Sequence, residues 1–179
     1  MIDPPSTYAE WTEVLHRFER PENDTGVLAA LGRAKFSLSA EMSERLCKRI
    51  IAVFDRRVLA VASHLEQDLG RGLDEVSYGN SMTRARRELA PIAAFSAARC
   101  WPAELSGVLS KGLDDFVTAV QQKLEENATV YARHDQGARL SIVRRFPLST
   151  GAPPPESKGS RPAEKPKPDA PLPTRRIIL

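Results

Sequence analysis

Residues 39–70 read SAEMSERLCKRIIAVFDRRVLAVASHLEQDLG, and this stretch decides the fold. Its apolar positions are Cys47, Ile50, Phe54, Val58, Val61, Leu65 and Leu69. The steps between them are 3, 4, 4, 3, 4 and 4, an eleven-residue repeat over three turns. Such a repeat runs at about 3.67 residues per turn, close to an unstrained helix, so one stripe keeps its direction over the whole length. Met42, Leu46, Ile51 and Ala62 widen the stripe, which predicts more than one neighbour. Ser37 or Ser39 supplies the cap, Glu41 and Glu44 suit the positive end of the dipole, and Gly70 and Gly72 stop the helix.

Working outward, the N-terminal side carries Thr7-Tyr8-Ala9-Glu10, a capping-box pattern that starts a helix with Tyr8, Trp11, Leu15 and Phe18 on one face. Pro21 ends it, and a short second helix is expected from Gly26 to Ala34. On the C-terminal side a fourth helix is expected from Asn80 to Ala98, kinked or restarted at Pro91. Trp101-Pro102 opens a fifth, with Leu105, Leu109, Leu113, Phe116, Val120, Leu124 and Tyr131 on its apolar face, ending near His134 with Gly137 as the stop. Residues 139–146 fit either a last helical turn or an extended segment. The expectation is an all-α, elongated antiparallel bundle of about five helices, with the third and fifth as its spine.

Composition changes abruptly at Gly151. Eight of the fourteen prolines lie in residues 151–173, among Lys, Glu, Ser and Gly. A segment of that kind buries too little apolar area to offset its ordering entropy. The chain therefore divides into a bundle domain, residues 1–150, and a disordered proline-rich C-terminal arm, residues 151–179. The body carries 20 of the 26 basic and 20 of the 23 acidic side chains and is neutral. The arm carries six basic and three acidic groups, and so the whole net charge of +3. A neutral body argues against a strongly electrostatic nucleic-acid binder.

Chemistry is sparse. Glu13 and His16 share the Glu-x-x-His spacing of carboxylate-bridged metal bundles, but neither His64 nor His134 has a glutamate three residues before it. Gly70-Arg71-Gly72 is a helix stop, and no nucleophile elbow or phosphate loop is present. Asp114-Asp115 and Glu125-Glu126 are adjacent pairs that diverge around a helix. No enzyme, cofactor or metal is expected. No apolar run reaches the ~18–20 residues of a membrane helix, and Met1 to Pro5 lack a signal-peptide pattern, so no membrane partner and a cytoplasmic location are expected. Cys47 and Cys100 read as buried thiols.

Two sets of binding residues remain. Arg45, Lys48, Arg49 and Arg56 on the third helix, with Arg84 and Arg87 on the fourth, form an anion-binding face if those helices adjoin; otherwise they pair with Glu41, Glu44, Asp55 and Glu88 on a solvated surface. Arg57 and Arg86 belong to the same clusters, and Arg139, Arg144 and Arg145 form a further group before the arm. The second set ends the chain: Arg175, Arg176, Ile177, Ile178 and Leu179. A segment that cannot fold has no internal reason to keep three large aliphatics. In a partner groove each contributes ~1.5–3 kcal/mol, less the ordering cost, and the two arginines add steering. Fold-back onto the chain's own bundle, a degradation signal and a bare terminus are the alternatives. Lys165 to Pro171 also matches a basic proline motif, at the low specificity expected in so proline-rich a stretch. The expected function is a non-enzymatic adaptor or accessory subunit. It binds one protein through the terminal peptide and another through the bundle, which also offers a surface for homo-oligomer formation. The alternative is an accessory nucleic-acid-binding subunit using the basic faces of the third and fourth helices.

Overall fold

A computed structural model describes residues 2–69, 75–130 and 136–149, without the side chains of residues 69, 127–130 and 136–139. Among the described residues there are six α-helices, one 3-10 turn and no strand: α1 (Tyr8–Phe18), the turn Pro21–Asn23, α2 (Asp24–Leu31), α3 (Ala40–Leu69), α4 (Glu75–Ser96), α5 (Ala103–Val130) and α6 (Gln136–Arg145). The all-α bundle follows the sequence pattern. The capping box of α1 is complete. The Glu10 N–H donates to the Thr7 hydroxyl at 3.3 Å, and the Thr7 N–H donates back to Glu10 Oε2 at 3.0 Å. The α3 stripe is buried from Ile50 through Phe54, Val58, Val61 and Leu65, joined by Leu46 and Val53, while Cys47 is half-buried.

Cross-helix contacts fix the topology. His64 meets Glu88 at 2.9 Å and Arg84 meets Asp68 at 3.4 Å, so α4 runs antiparallel to α3. The Phe54 ring lies beside Gly112, and Lys123 reaches Glu66 at 3.0 Å, so α5 runs parallel to α3. The Leu148 N–H donates to Gln121 Oε1 at 3.0 Å, and Arg144 Nε lies 3.9 Å from Glu125 Oε2, so α6 returns antiparallel to α5. The order α3-α4-α5-α6 is thus up-down-up-down. The two spine helices point the same way because α4 reverses the chain between them.

α1, α2 and the segment around Phe36 close one part of this bundle with an aromatic cluster. Phe18 stacks on Phe95 with centroids 4.1 Å apart, and Trp11 contacts both Phe36 and Trp101. The Trp101 indole N–H donates to the Phe95 carbonyl at 2.6 Å, which satisfies its polar edge.

Several boundaries differ from expectation. α2 starts at Asp24 rather than Gly26 and stops at Leu31. α4 begins five residues earlier than Asn80, because Tyr78 and Met82 already hold core positions, and it continues through Pro91 to Ser96. The ambiguous residues after 139 are largely helical, and Gly137 lies inside α6 instead of stopping α5. Tyr131, His134 and the arm from Gly151 onward lie outside the described residues.

Candidate functional site

α3 and α4 adjoin, but their basic residues do not come together: Arg84 meets Asp68, nineteen residues beyond Arg49 and twelve beyond Arg56 along α3, and most of the set is engaged. Arg45 pairs with Glu41 and Lys48 with Glu44, both at 2.7 Å and both one turn apart on α3. Arg56 crosses to Glu19 at the end of α1. Arg84 reaches Glu88 at 3.0 Å as well as Asp68. Arg49 and Arg87 are exposed, with no ion pair among the described residues. Each exposed pair contributes little to stability, on the order of 0–1 kcal/mol, but the pairing leaves these residues with little unmatched positive charge.

Arg57 and Arg86 are not surface residues. Arg57 is 7% exposed and forms a two-pronged contact with Asp24, Nη1 to Oδ1 and Nη2 to Oδ2, each 2.8 Å. Its Nη1 also donates to the Phe18 carbonyl, and its guanidinium carbon lies 4.6 Å over the Phe18 ring. One side chain therefore ties the C-terminus of α1, the first residue of α2 and the middle of α3. Charge clustering in the sequence hides this role. The visible signal is position: Arg57 lies four residues from both Val53 and Val61, on the buried stripe.

Arg86 is 6% exposed, on the α4 face that carries Met82 and Leu89. Its Nη2 donates to the carbonyl of Pro147. Nε and Nη1 have no hydrogen-bond partner among the described residues, nor does the buried Tyr78 hydroxyl. Burial lowers the Arg86 pKa, against the opposing pull of the Tyr78 phenol. Burial also pushes the Tyr78 phenol up to about 12, with the Glu125 carboxylate adding to the rise and Arg86 opposing it.

The segment just after α6 is held from two other helices. Pro147 is held by Arg86 from α4, and Leu148 by Gln121 from α5. The Leu148 side chain is 3% exposed, and the neighbouring Phe146 ring packs over Gly79, where a Cβ would lie 3.5 Å from it. Beside this clamp a cleft of about 640 Å³ opens between α5 and α6. Val117, Leu140 and Leu148 give it apolar walls, and Gln121, Glu125 and Arg144 give it polar ones. Sequence reasoning missed Gln121 and Leu148 and counted Arg86 only as part of a basic cluster, since nothing local marks a residue that clamps a segment some thirty to sixty positions away.

Glu13 and His16 each have another partner on α1 or its C-cap. Glu13 bonds Arg17 at 2.8 Å, and His16 faces Glu19 at 3.4 Å. Among the described residues no group of three or more His, Cys, Asp or Glu is placed to hold a metal ion. No helix there is long and apolar enough to cross a membrane. Cys47 and Cys100 are free thiols, and burial raises both, Cys100 to about 11. Arg175, Arg176, Ile177, Ile178 and Leu179 lie outside the described residues. No protein-family model, no curated protein and no solved structure matches the chain.

Proposed function

We propose that the protein is a non-enzymatic adaptor or accessory subunit of the cytoplasm, whose bundle anchors a tether ending in a protein-docking peptide, Arg175 to Leu179. The observation that carries this reading is the fixed root of the arm. Arg86 and Gln121 hold two consecutive residues, Pro147 and Leu148, from two different helices. A tether with a fixed root keeps its free end within a defined radius. For short flexible linkers that corresponds to millimolar effective concentration, so weak docking suffices.

Charge supports the same reading. The body's basic residues are largely matched by its own carboxylates, whereas the arm carries six basic against three acidic groups. On the bundle, Leu59 of α3 and Val108 of α5 are more than half exposed and offer apolar contact points for a second protein or a second copy. The free thiols, Cys100 buried and Cys47 half-buried, fit a reducing compartment.

The deciding experiment is a pull-down with the full chain and with a chain lacking Ile177–Leu179. Partners recovered only by the full chain are expected. Equal recovery by both chains overturns the docking role.

A further inference from the structure

The clamp and the cleft share a residue. Leu148 is fixed by Gln121 through its N–H, and its side chain forms part of the cleft wall. The chain that follows therefore sets out from the cleft itself. Along α5 the cleft extends from Val117 to Glu126, about 14 Å at 1.5 Å per residue. An extended peptide of five residues spans about 17 Å. Val117 stands near one end, with Leu148 at Gln121 one turn beyond it. Leu140 lies one turn before Arg144, which meets Glu125, and so belongs to the far end. Glu125 stands near that end too. Its Oε1 accepts from the Gln121 amide at 3.0 Å, but Arg144 is held only loosely, at 3.9 Å from Oε2. A charge-assisted pair closes to ~2.7–2.9 Å, so Glu125 retains capacity for a guanidinium.

We propose that this cleft receives the chain's own last five residues in cis, Ile177, Ile178 and Leu179 along Val117 and Leu148, with Arg175 and Arg176 at Glu125 and their aliphatic stems toward Leu140. Residues 149–174, twenty-six in all, join Leu148 to Arg175. A coil of that length has a root-mean-square span of about 25–30 Å, enough to turn back over a 14 Å cleft. Closing the loop is inexpensive, since the entropy cost grows only with the logarithm of length. The inference rests on the reading of Arg175 to Leu179 as a docking peptide and adds its regulation. Cleft and partner compete for one peptide, so the bundle holds the hook until a partner or a change at Glu125 frees it.

The test is methyl NMR on the full chain and on a chain lacking Ile177–Leu179, each at two concentrations tenfold apart. Shifted resonances are expected at Val117, Leu140 and Leu148, absent from Val27 and Leu31 of α2, and unchanged by dilution. Glu125→Arg in the full chain moves the same resonances toward their positions in the shortened chain. Identical spectra overturn the proposal, as do shifts centred elsewhere. Shifts that fade on dilution also overturn it, and assign the cleft to the tail of a second copy. With about nine-tenths of the chain closed, Glu125→Arg raises the apparent affinity for a tail-binding partner up to about tenfold; no change removes the competition. The two readings fail separately. Cleft shifts with tail-independent partner recovery overturn the adaptor and leave the cis contact standing. Tail-dependent recovery with unmoved cleft resonances does the reverse.

Discussion

Arg57 shows how one side chain can be misread by charge and understood by position. It sits among Arg56, Asp55 and other charged residues, yet the helical period places it inside. Its two-pronged contact with Asp24 is nearly dry, so removing either partner strands a buried charge. Breaking such a pair costs about 3–5 kcal/mol, whereas replacing both members with apolar residues of similar volume is often close to neutral. Asp24→Ala is therefore expected to lower unfolding free energy by about 3–5 kcal/mol. Asp24→Leu with Arg57→Met is expected to cost markedly less, as read from urea unfolding curves. Glu10 is the opposite case, fully legible in the sequence. One of its carboxylate oxygens accepts from the backbone N–H of Ser6 and of Thr7 and from the Ser6 hydroxyl. Those bonds, the backbone ones first, hold its pKa at about 2, down from 4.5. Because the folded value is the lower one, the cap contributes fully above pH 4.5 and is lost as pH falls toward 2. An NMR titration of the Glu10 side-chain carboxyl is expected to show a midpoint near 2, and Thr7→Ala is expected to raise it.

At the scale of elements, periodicity was sufficient for α1, α3 and α5 and insufficient for α4 and α6. The long helices repeat an apolar stripe over many turns, so single exceptions do not obscure them. α4 mixes Gly79, Asn80 and Ser81 into its first turns, and these weaken its signal, although Tyr78 and Met82 are core residues. A kink or restart is expected at Pro91 because proline removes an N–H and its ring crowds the preceding turn. The helix continues because the carbonyl that loses its partner belongs to Arg87, an exposed residue whose surroundings include water. Leu89 before the proline and Ile92 and Phe95 after it are buried, which holds both sides in the core. The local conflict remains as a cost. Pro91→Ala restores the hydrogen bond to Arg87 but frees the unfolded chain by about 0.4–1 kcal/mol. Against an interior-proline penalty of about 3 kcal/mol, the net expectation is a gain of about 2–2.6 kcal/mol in urea unfolding, with the helical circular dichroism signal unchanged or slightly larger. α6 could be read either way because Leu140 and Val143 fit both a helix turn and a short extended run. Tertiary contact with α5 selects the helix.

For the whole molecule, the sequence separates charge as clearly as it separates structure, and that separation makes a quantitative expectation. The body is neutral, with Arg45, Lys48, Arg56 and Arg84 beside carboxylates, while the arm carries all of the +3. Phosphate binding releases about 0.9 counterion per neutralised phosphate, which sets the slope of log affinity against log salt. If the arm supplies all phosphate contacts, its six cations limit the slope to about −5 on duplex DNA. Replacing all six with Gln in the full chain is then expected to bring the slope close to zero, measured by fluorescence anisotropy between low and physiological salt. Ion pairs within α3 and across to α1 and α4 resist the alternative, because a phosphate would have to displace a carboxylate already at 2.7–3.0 Å from Arg45, Lys48 or Arg84. Arg49 and Arg87 escape that argument, and they are the residues through which it can fail. A slope that survives the six substitutions and falls by about one unit for each of Arg49→Gln and Arg87→Gln places the contacts on α3 and α4. It replaces the adaptor with a nucleic-acid-binding subunit.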